Sequence, residues 1–224
     1  MKIFLDSSDL NQIKAWKDRV DGFTTNPSLM KKAGVTDYEK FCKEVLELIP
    51  DKPVSFEVFA DEFDEMERQA SIISSWGKNV YVKIPITNTK GESSLLFIQK
   101  LTKEIQLNIT AITDVSSFTT FLISPHLPMI FSYFAGRVAD TGRNPIGALS
   151  YLKRIIDEKI EILWASTREV LNIYQAEQGG CDIITCTPEL LEKYHKFKDM
   201  DLDKLSLMTV KQFYEDAQAA GYTL

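Results

Sequence analysis

Apolar runs of strand length recur along the chain, with polar, helix-patterned stretches between most of them. Eight runs rich in β-branched and aromatic residues fall at 2–5, 22–25, 54–58, 80–84, 107–112, 129–134, 160–164 and 183–185. Runs of this length and composition predict buried strands. Between them the apolar spacing turns helical. Leu10, Ile13 and Trp16 share one face, as do Phe41, Val45, Leu48 and Ile49 within 38–49, and Met66, Ala70 and Ile73 within 63–73. Segments 93–101, 145–156, 168–178 and 188–194 follow the same pattern. Ser8, Asp37, Asp61 and Thr167 stand where helices start and are expected to cap them.

Strands alternating with helices predict a parallel sheet. An open doubly wound sheet and a closed (β/α)8 TIM barrel both satisfy the alternation, and the count of eight favours the barrel. No G-x-G-x-x-G follows the first strand. Asp6-Ser7-Ser8 stands there instead, which argues against a dinucleotide site. A single α/β barrel domain over 1–224 is expected, with 200–224 a C-terminal helical extension. Its last helical stretch, 209–220, would close the barrel bottom or pack on a neighbouring subunit.

One strand carries a residue that does not belong to a plain core. In Asn79-Val80-Tyr81-Val82-Lys83-Ile84-Pro85 the alternation puts Val80, Val82 and Ile84 on one face and Tyr81 with Lys83 on the other. Lysine is almost never fully buried unless paired. Two readings stand at this point. Lys83 reaches water from a strand end, or it is an amine nucleophile of the Schiff-base kind.

Polar residues elsewhere bear on that choice. Asp6 ends the first strand. Thr24-Thr25-Asn26-Pro27-Ser28 ends the second, and Glu57 lies in the third. Asn108 and Thr110 share a face of the fifth, Ser132 and Phe134 a face of the sixth, with Arg137 just beyond. Ser166 and Arg168 follow the seventh. Singly, each has an ordinary structural role open to it, as a cap, a turn or an ion-pair partner. Together they fall at the carboxyl ends of consecutive strands, where barrel enzymes keep their active sites. A ring of polar groups around an inward lysine is costly unless it binds something.

Composition narrows the partners. The chain has 224 residues, 44% of them hydrophobic, and a net charge of -6. Cations are mixed with acids and form no basic stripe, so nucleic acid is not an expected partner. No apolar run approaches the ~20 residues of a membrane helix, and the N-terminal apolar stretch is too short for a signal peptide. A soluble, cytoplasmic protein is expected. Cys42, Cys181 and Cys186 form no framework, and His126 lies far from His195 in sequence. Neither a metal site nor disulfides are expected.

The ordered motifs Phe4-Leu5-Asp6-Ser7, Thr24-Thr25-Asn26-Pro27-Ser28, Ser55-Phe56-Glu57-Val58, Val82-Lys83-Ile84-Pro85, Asn108-Ile109-Thr110, Ser132-Tyr133-Phe134-Ala135-Gly136-Arg137 and Ala165-Ser166-Thr167-Arg168 span most of the chain. They resemble the transaldolase family, nearest its small single-domain members. The resemblance implies a (β/α)8 barrel, Schiff-base chemistry without metal or organic cofactor, sugar-phosphate substrates of the pentose phosphate pathway, and homo-oligomeric rings, pentamers or decamers, built with the C-terminal helix. It implies Lys83 as nucleophile and Asp6 as the acid/base at the sugar's C4 hydroxyl. Glu57 and Thr110 would move protons through a water. Asn26, Asn108 and Ser132 would hold the dihydroxyacetone hydroxyls, and Arg137, Ser166 and Arg168 the phosphate.

The related fructose-6-phosphate aldolase has glutamine at the position of Glu57 and tyrosine at that of Phe134, so this chain resembles the transaldolases at both. Three stretches depart from the usual pattern: 111–115, 118–128 and 138–145. They bear on the substrate more than on the chemistry. The alternatives to a transaldolase are an aldolase-like or specialised relative acting on another ketose, and a non-catalytic barrel serving assembly.

Overall fold

The computed structural model describes residues 1–116 and 125–224. Eight parallel strands close on themselves in sequence order. They are β1 (Lys2–Asp6), β2 (Gly22–Thr24), β3 (Val54–Glu57), β4 (Val80–Pro85), β5 (Leu107–Ile112), β6 (Met129–Tyr133), β7 (Ile160–Trp164) and β8 (Ile183–Cys186). β8 pairs with β1 over Lys2–Leu5 and so leaves no free edge. The expected (β/α)8 barrel is the observed fold, with strand ends within a residue or so of the sequence expectation.

Helices among the described residues are α1 (Leu10–Trp16), α2 (Pro27–Lys32), α3 (Tyr38–Leu48), α4 (Phe63–Ser74), α5 (Leu95–Leu101), α6 (Ala135–Asp140), α7 (Ile146–Ile155), α8 (Leu171–Gln178), α9 (Pro188–Phe197) and α10 (Leu202–Ala220). α3 and α4 turn apolar stripes inward, Phe41 and Val45 of the first and Met66, Ala70 and Ile73 of the second. These stripes meet the outward faces of the strands, Val80, Val82 and Ile84 among them, in one continuous layer. The strand interior is a second, smaller core. Phe4, Ile130, Leu163 and Ile183 fill it, with Tyr81 packed against them. Each such side chain contributes roughly 1.5–3 kcal/mol by its burial. Gly22 makes room for the plug, since a Cβ there would lie 2.5 Å from Phe4 Cζ.

The plug fills the lower barrel, so the inward residues one step further along each strand are left to line the upper mouth. That is the single fact of the fold that places the site.

Three of the four expected caps sit elsewhere. Asp9, not Ser8, caps α1, accepting from the amides of Asn11 and Gln12, because a carboxylate is the stronger acceptor for the two free N–H groups. Asp61 is drawn away to the loop after β4, where it accepts from the Thr89 amide and hydroxyl at 2.7 Å each. Glu62 takes the α4 cap position without a side-chain bond. Thr167 donates to the Thr185 carbonyl at 2.6 Å, and α8 starts later, at Leu171. Asp37 caps α3 as expected.

α10 begins at Leu202, earlier than the expected 209, with Asp201 as its cap. It buries no residue. Two short helices, α2 and α6, were not legible as helices in the sequence. Of the atypical stretch 118–128, residues 118–124 lie outside the described residues.

Candidate active site

Lys83 is the centre of the site. Its inward position on β4 follows from strand parity, and its residue is only 6% exposed. Register then chooses its neighbours. Glu57 of β3 stands opposite Lys83, and Glu57 Oε2 lies 3.1 Å from Lys83 Nζ. Nζ also donates to the Thr25 carbonyl at 3.0 Å. A buried ammonium here therefore has a carboxylate and a carbonyl as partners. The Tyr38 hydroxyl donates to the Glu57 backbone carbonyl at 2.6 Å and fixes that strand end.

Asp6 faces the same space from β1. Thr24, its register partner on β2, donates to Asp6 Oδ1 at 2.7 Å. Thr24 Oγ1 also lies 2.6 Å from Thr185 Oγ1 of β8. Because the one Thr24 proton goes to Asp6, Thr185 is the donor in the second bond. Burial pushes the Asp6 carboxyl above its ordinary value. The Lys83 ammonium and the Thr24 hydrogen bond oppose that shift, and the Glu57 charge adds to it. A carboxylate so placed is a better proton acceptor than one in water.

A cavity of about 390 Å³ opens above these groups. Asp6, Asn26, Glu57, Lys83, Thr110, Ser132, Phe134, Arg137 and Ser166 all border it. The structure thus gathers nine of the eleven expected residues around one space. Asn26 uses Oδ1 to cap α2 through the Leu29 amide, which fixes its side chain at the rim. The Thr110 hydroxyl is buried and has no hydrogen-bond partner among the described residues. Arg137 lies over the Phe134 ring at 5.1 Å.

Two expected residues are not at the cavity. Asn108 is fully buried beneath it, donating to Ser55 Oγ at 3.0 Å and accepting from Ser132 Oγ at 2.6 Å. Here it orients Ser132. Arg168 turns instead to Asp140, with Nη2 2.7 Å from Oδ2.

Thr185 and Ala111 also line the cavity and were not singled out in the sequence. Thr24 and Thr185 line the wall beside Asp6. Strand parity was the available signal, since Thr185 follows Ile183 on the inward face. Ala111 and Ser166 also line it and carry positive φ, 62° and 60°. Nothing in their residue type announces that conformation, which costs on the order of 1–3 kcal/mol and clusters at functional sites.

Gly136 is the last element. It lets α6 pass so close to the loop after β7 that a Cβ would lie 1.7 Å from the Ser166 carbonyl oxygen. Among the described residues no cluster of three or more His, Cys, Asp or Glu side chains is arranged to hold a metal ion.

The family model for transaldolase/fructose-6-phosphate aldolase matches residues 3–224. The chain belongs to that family. A probable transaldolase 2 of Listeria monocytogenes is 35% identical over 199 residues, covering 86% of this chain and 88% of the relative. A probable transaldolase of Thermoplasma volcanium is 34% identical over 209 residues, covering 90% and 91%. Family membership makes the chain an enzyme of the aldolase and transferase type.

Solved structures share its barrel. The 3-hexulose-6-phosphate synthase of Salmonella typhimurium superposes with a TM-score of 0.60 at 18% identity, over 84% of this chain and 89% of that one. The orotidine 5'-monophosphate decarboxylase of Metallosphaera sedula gives 0.54 at 15%, over 83% and 87%. These likenesses show the fold alone. Among the described residues no helix of this family member is long and apolar enough to cross a membrane.

Proposed function

We propose that this protein is a transaldolase of the Schiff-base type, moving a dihydroxyacetone unit from a ketose phosphate to an aldose phosphate. Fructose 6-phosphate and sedoheptulose 7-phosphate are the natural donors to test. The observation that carries the reading is the buried Lys83 amine between the Glu57 carboxylate and a cavity that Asp6 also faces.

In this reading Lys83 passes a proton to Glu57, and the free amine attacks the C2 carbonyl. Glu57 and Thr110 move protons through a water as the carbinolamine loses hydroxide as water. The protonated imine is then an electron sink. Asp6 takes the C4 hydroxyl proton as the C3–C4 bond breaks, and its raised proton affinity suits that task. The bonding pair enters the imine, the aldose phosphate leaves, and an enamine of dihydroxyacetone stays on Lys83. The enamine attacks the acceptor aldehyde, Asp6 returns its proton, and water releases the new ketose.

Asn26 and Ser132 border the cavity where the dihydroxyacetone hydroxyls would lie, and Arg137 and Ser166 where the phosphate would lie. Arg168 joins them on binding. No tyrosine borders the cavity among the described residues, which favours transfer over release of free dihydroxyacetone, since no phenol is at hand to protonate the enamine. The reaction needs no metal or organic cofactor. A cytoplasmic location fits this chemistry. Self-association through α10 into a ring, a pentamer or decamer, fits the exposure of Leu205, Met208, Val210, Phe213 and Tyr214.

The test is borohydride trapping with fructose 6-phosphate, followed by peptide mapping. The tag is expected on Lys83, and Lys83→Met, which fills similar volume, should fold but lose both tag and turnover. A tag on another lysine, or near-normal turnover in the variant, defeats the assignment.

A further inference from the structure

Arg168 spends one whole edge of its guanidinium on a single carboxylate. Its Nη2 lies 2.7 Å from Asp140 Oδ2, and its Nε lies 3.2 Å from Oδ2 and 3.4 Å from Oδ1. The Arg168 stem passes close to Gly136, where a Cβ would lie 3.3 Å from its Cγ. Ser166, two residues earlier, borders the cavity, but Arg168 does not. Arg137, three residues before Asp140 on α6, does border it and makes no ion pair among the described residues. One arginine at the rim is thus open to an anion, and a second, beside the cavity, is already occupied by an anion of the protein's own.

We propose that Asp140 is a specificity residue: its carboxylate parks Arg168 beside the cavity and competes with the substrate phosphate for it. This rests on the reading that the phosphate binds at Arg137, Ser166 and Arg168. The two side chains of the pair are 49% and 53% exposed, so water screens the pair and it is easily broken. A phosphate dianion brings higher charge and three acceptor oxygens to the same guanidinium edge. Phosphate entry therefore exchanges one anion for another. The apparent affinity for phosphorylated sugars is reduced by the fraction of Arg168 held on Asp140. The carboxylate also gives the guanidinium a resting partner when a phosphorylated product leaves. Substrate specificity then depends on a residue that touches no substrate.

Asp140→Asn keeps the shape and removes the charge. The variant should lower the KM for fructose 6-phosphate, and the Ki of inorganic phosphate as a competitive probe, by about 2–5-fold, the range expected for an exposed pair. The unphosphorylated pair of dihydroxyacetone and glyceraldehyde should show no comparable fall in KM. In an Arg168→Ala background the effect of Asp140→Asn should vanish. Unchanged or raised KM and Ki in Asp140→Asn, with Arg168→Ala still selectively weakening phosphorylated substrates, would overturn the competition while leaving the phosphate site intact. Equal losses for both substrate pairs in Arg168→Ala would remove the phosphate reading itself, and the competition with it.

Discussion

Gly136→Ala tests how the end of the cavity bordered by Arg137 and Ser166 is built. An alanine Cβ at that position would lie 1.7 Å from the Ser166 carbonyl oxygen and 2.7 Å from its carbonyl carbon. Both obstacles are backbone, so no rotamer change relieves them. The φ of Gly136 is not among the positive values, so the demand is for space rather than for glycine's conformational freedom. Ordinary carbon contacts begin near ~3.5 Å. Either α6 or the loop after β7 must therefore shift by more than about 1 Å. α6 carries Arg137, and the loop carries Ser166 with its φ of 60°. Overpacking of this kind costs about 1–3 kcal/mol. At ~2–4 °C per kcal/mol for a chain of this size, the melting temperature should fall by roughly 2–12 °C. A misplacement of about 1 Å at a binding site can cost on the order of 10²-fold in rate, so kcat/KM for fructose 6-phosphate should drop by about 10–10²-fold. Lys83 sits across the barrel on β4, and its trapping by dihydroxyacetone with borohydride should survive. Thermal melts with steady-state kinetics on phosphorylated and unphosphorylated donors decide the matter. Unchanged melting and unchanged KM would show that the close approach does not shape the site. Equal loss for both donor types would show that the strain reaches Lys83 instead.

Other expectations follow from the same cavity. Phe134→Tyr would set a phenol at the cavity wall, and general acid help is typically worth ~10²–10⁴-fold; the variant should release free dihydroxyacetone from fructose 6-phosphate without an acceptor, and a folded variant with no such gain sinks the idea. Asp6→Asn should abolish transfer yet melt higher than wild type at pH 7. Burial raises the Asp6 carboxyl in the folded state, so its favourable contribution is present below the unfolded value and lost as pH rises through the folded one. The melting advantage should accordingly shrink as pH falls toward the ordinary aspartate value of ~3.9. An Asp6→Asn protein less stable than wild type at pH 7 contradicts this reading.

The barrel was legible because its strands are eight short apolar runs alternating with helical patterns, a count that favours closure over an open sheet. Parity separated Lys83 from the apolar face of β4 and put Thr110 with Asn108 on one face of β5, whereas Asp6 and Glu57 were marked by their places along the strands and by the family resemblance. What parity cannot give is the direction of a long side chain beyond a strand end. Arg168 was expected at the phosphate, but Asp140, 28 residues earlier in the chain, holds it outside the cavity. Asn108 shows the converse limit. It lies on the right face of β5 but one layer too deep, where Ser55 and Ser132 take up its amide. The caps at Asp61 and Thr167 failed for a related reason: each side chain had a choice of partners, and the tertiary neighbours Thr89 and Thr185 decided it. Ser8 lost its cap to Asp9, and its hydroxyl is buried without a hydrogen-bond partner among the described residues. α2 and α6 were missed because six-residue helices carry too little periodicity to read.

The energetics of the barrel divide along its axis. At the amino end the interior is apolar, closed by Phe4, Ile130, Leu163 and Ile183, and Lys2 pairs with Glu161 across β1 and β7 at 2.7 Å. At the carboxyl end several interior choices oppose stability. A carboxylate is buried against its preference at Asp6. A hydroxyl is left without a partner at Thr110. Two residues other than glycine are held at positive φ, at Ala111 and Ser166. Each cost is of order 1–3 kcal/mol, and together they approach the whole net stability of a typical domain, about 5–15 kcal/mol. They coexist in one cavity because the plugged lower barrel and the helix layer hold the strand ends in place regardless. Lys83, Glu57 and Asp6 are fixed by strand register, whereas the rim residues Arg137 and Ser166 lie beyond the strand ends, where no register constrains them.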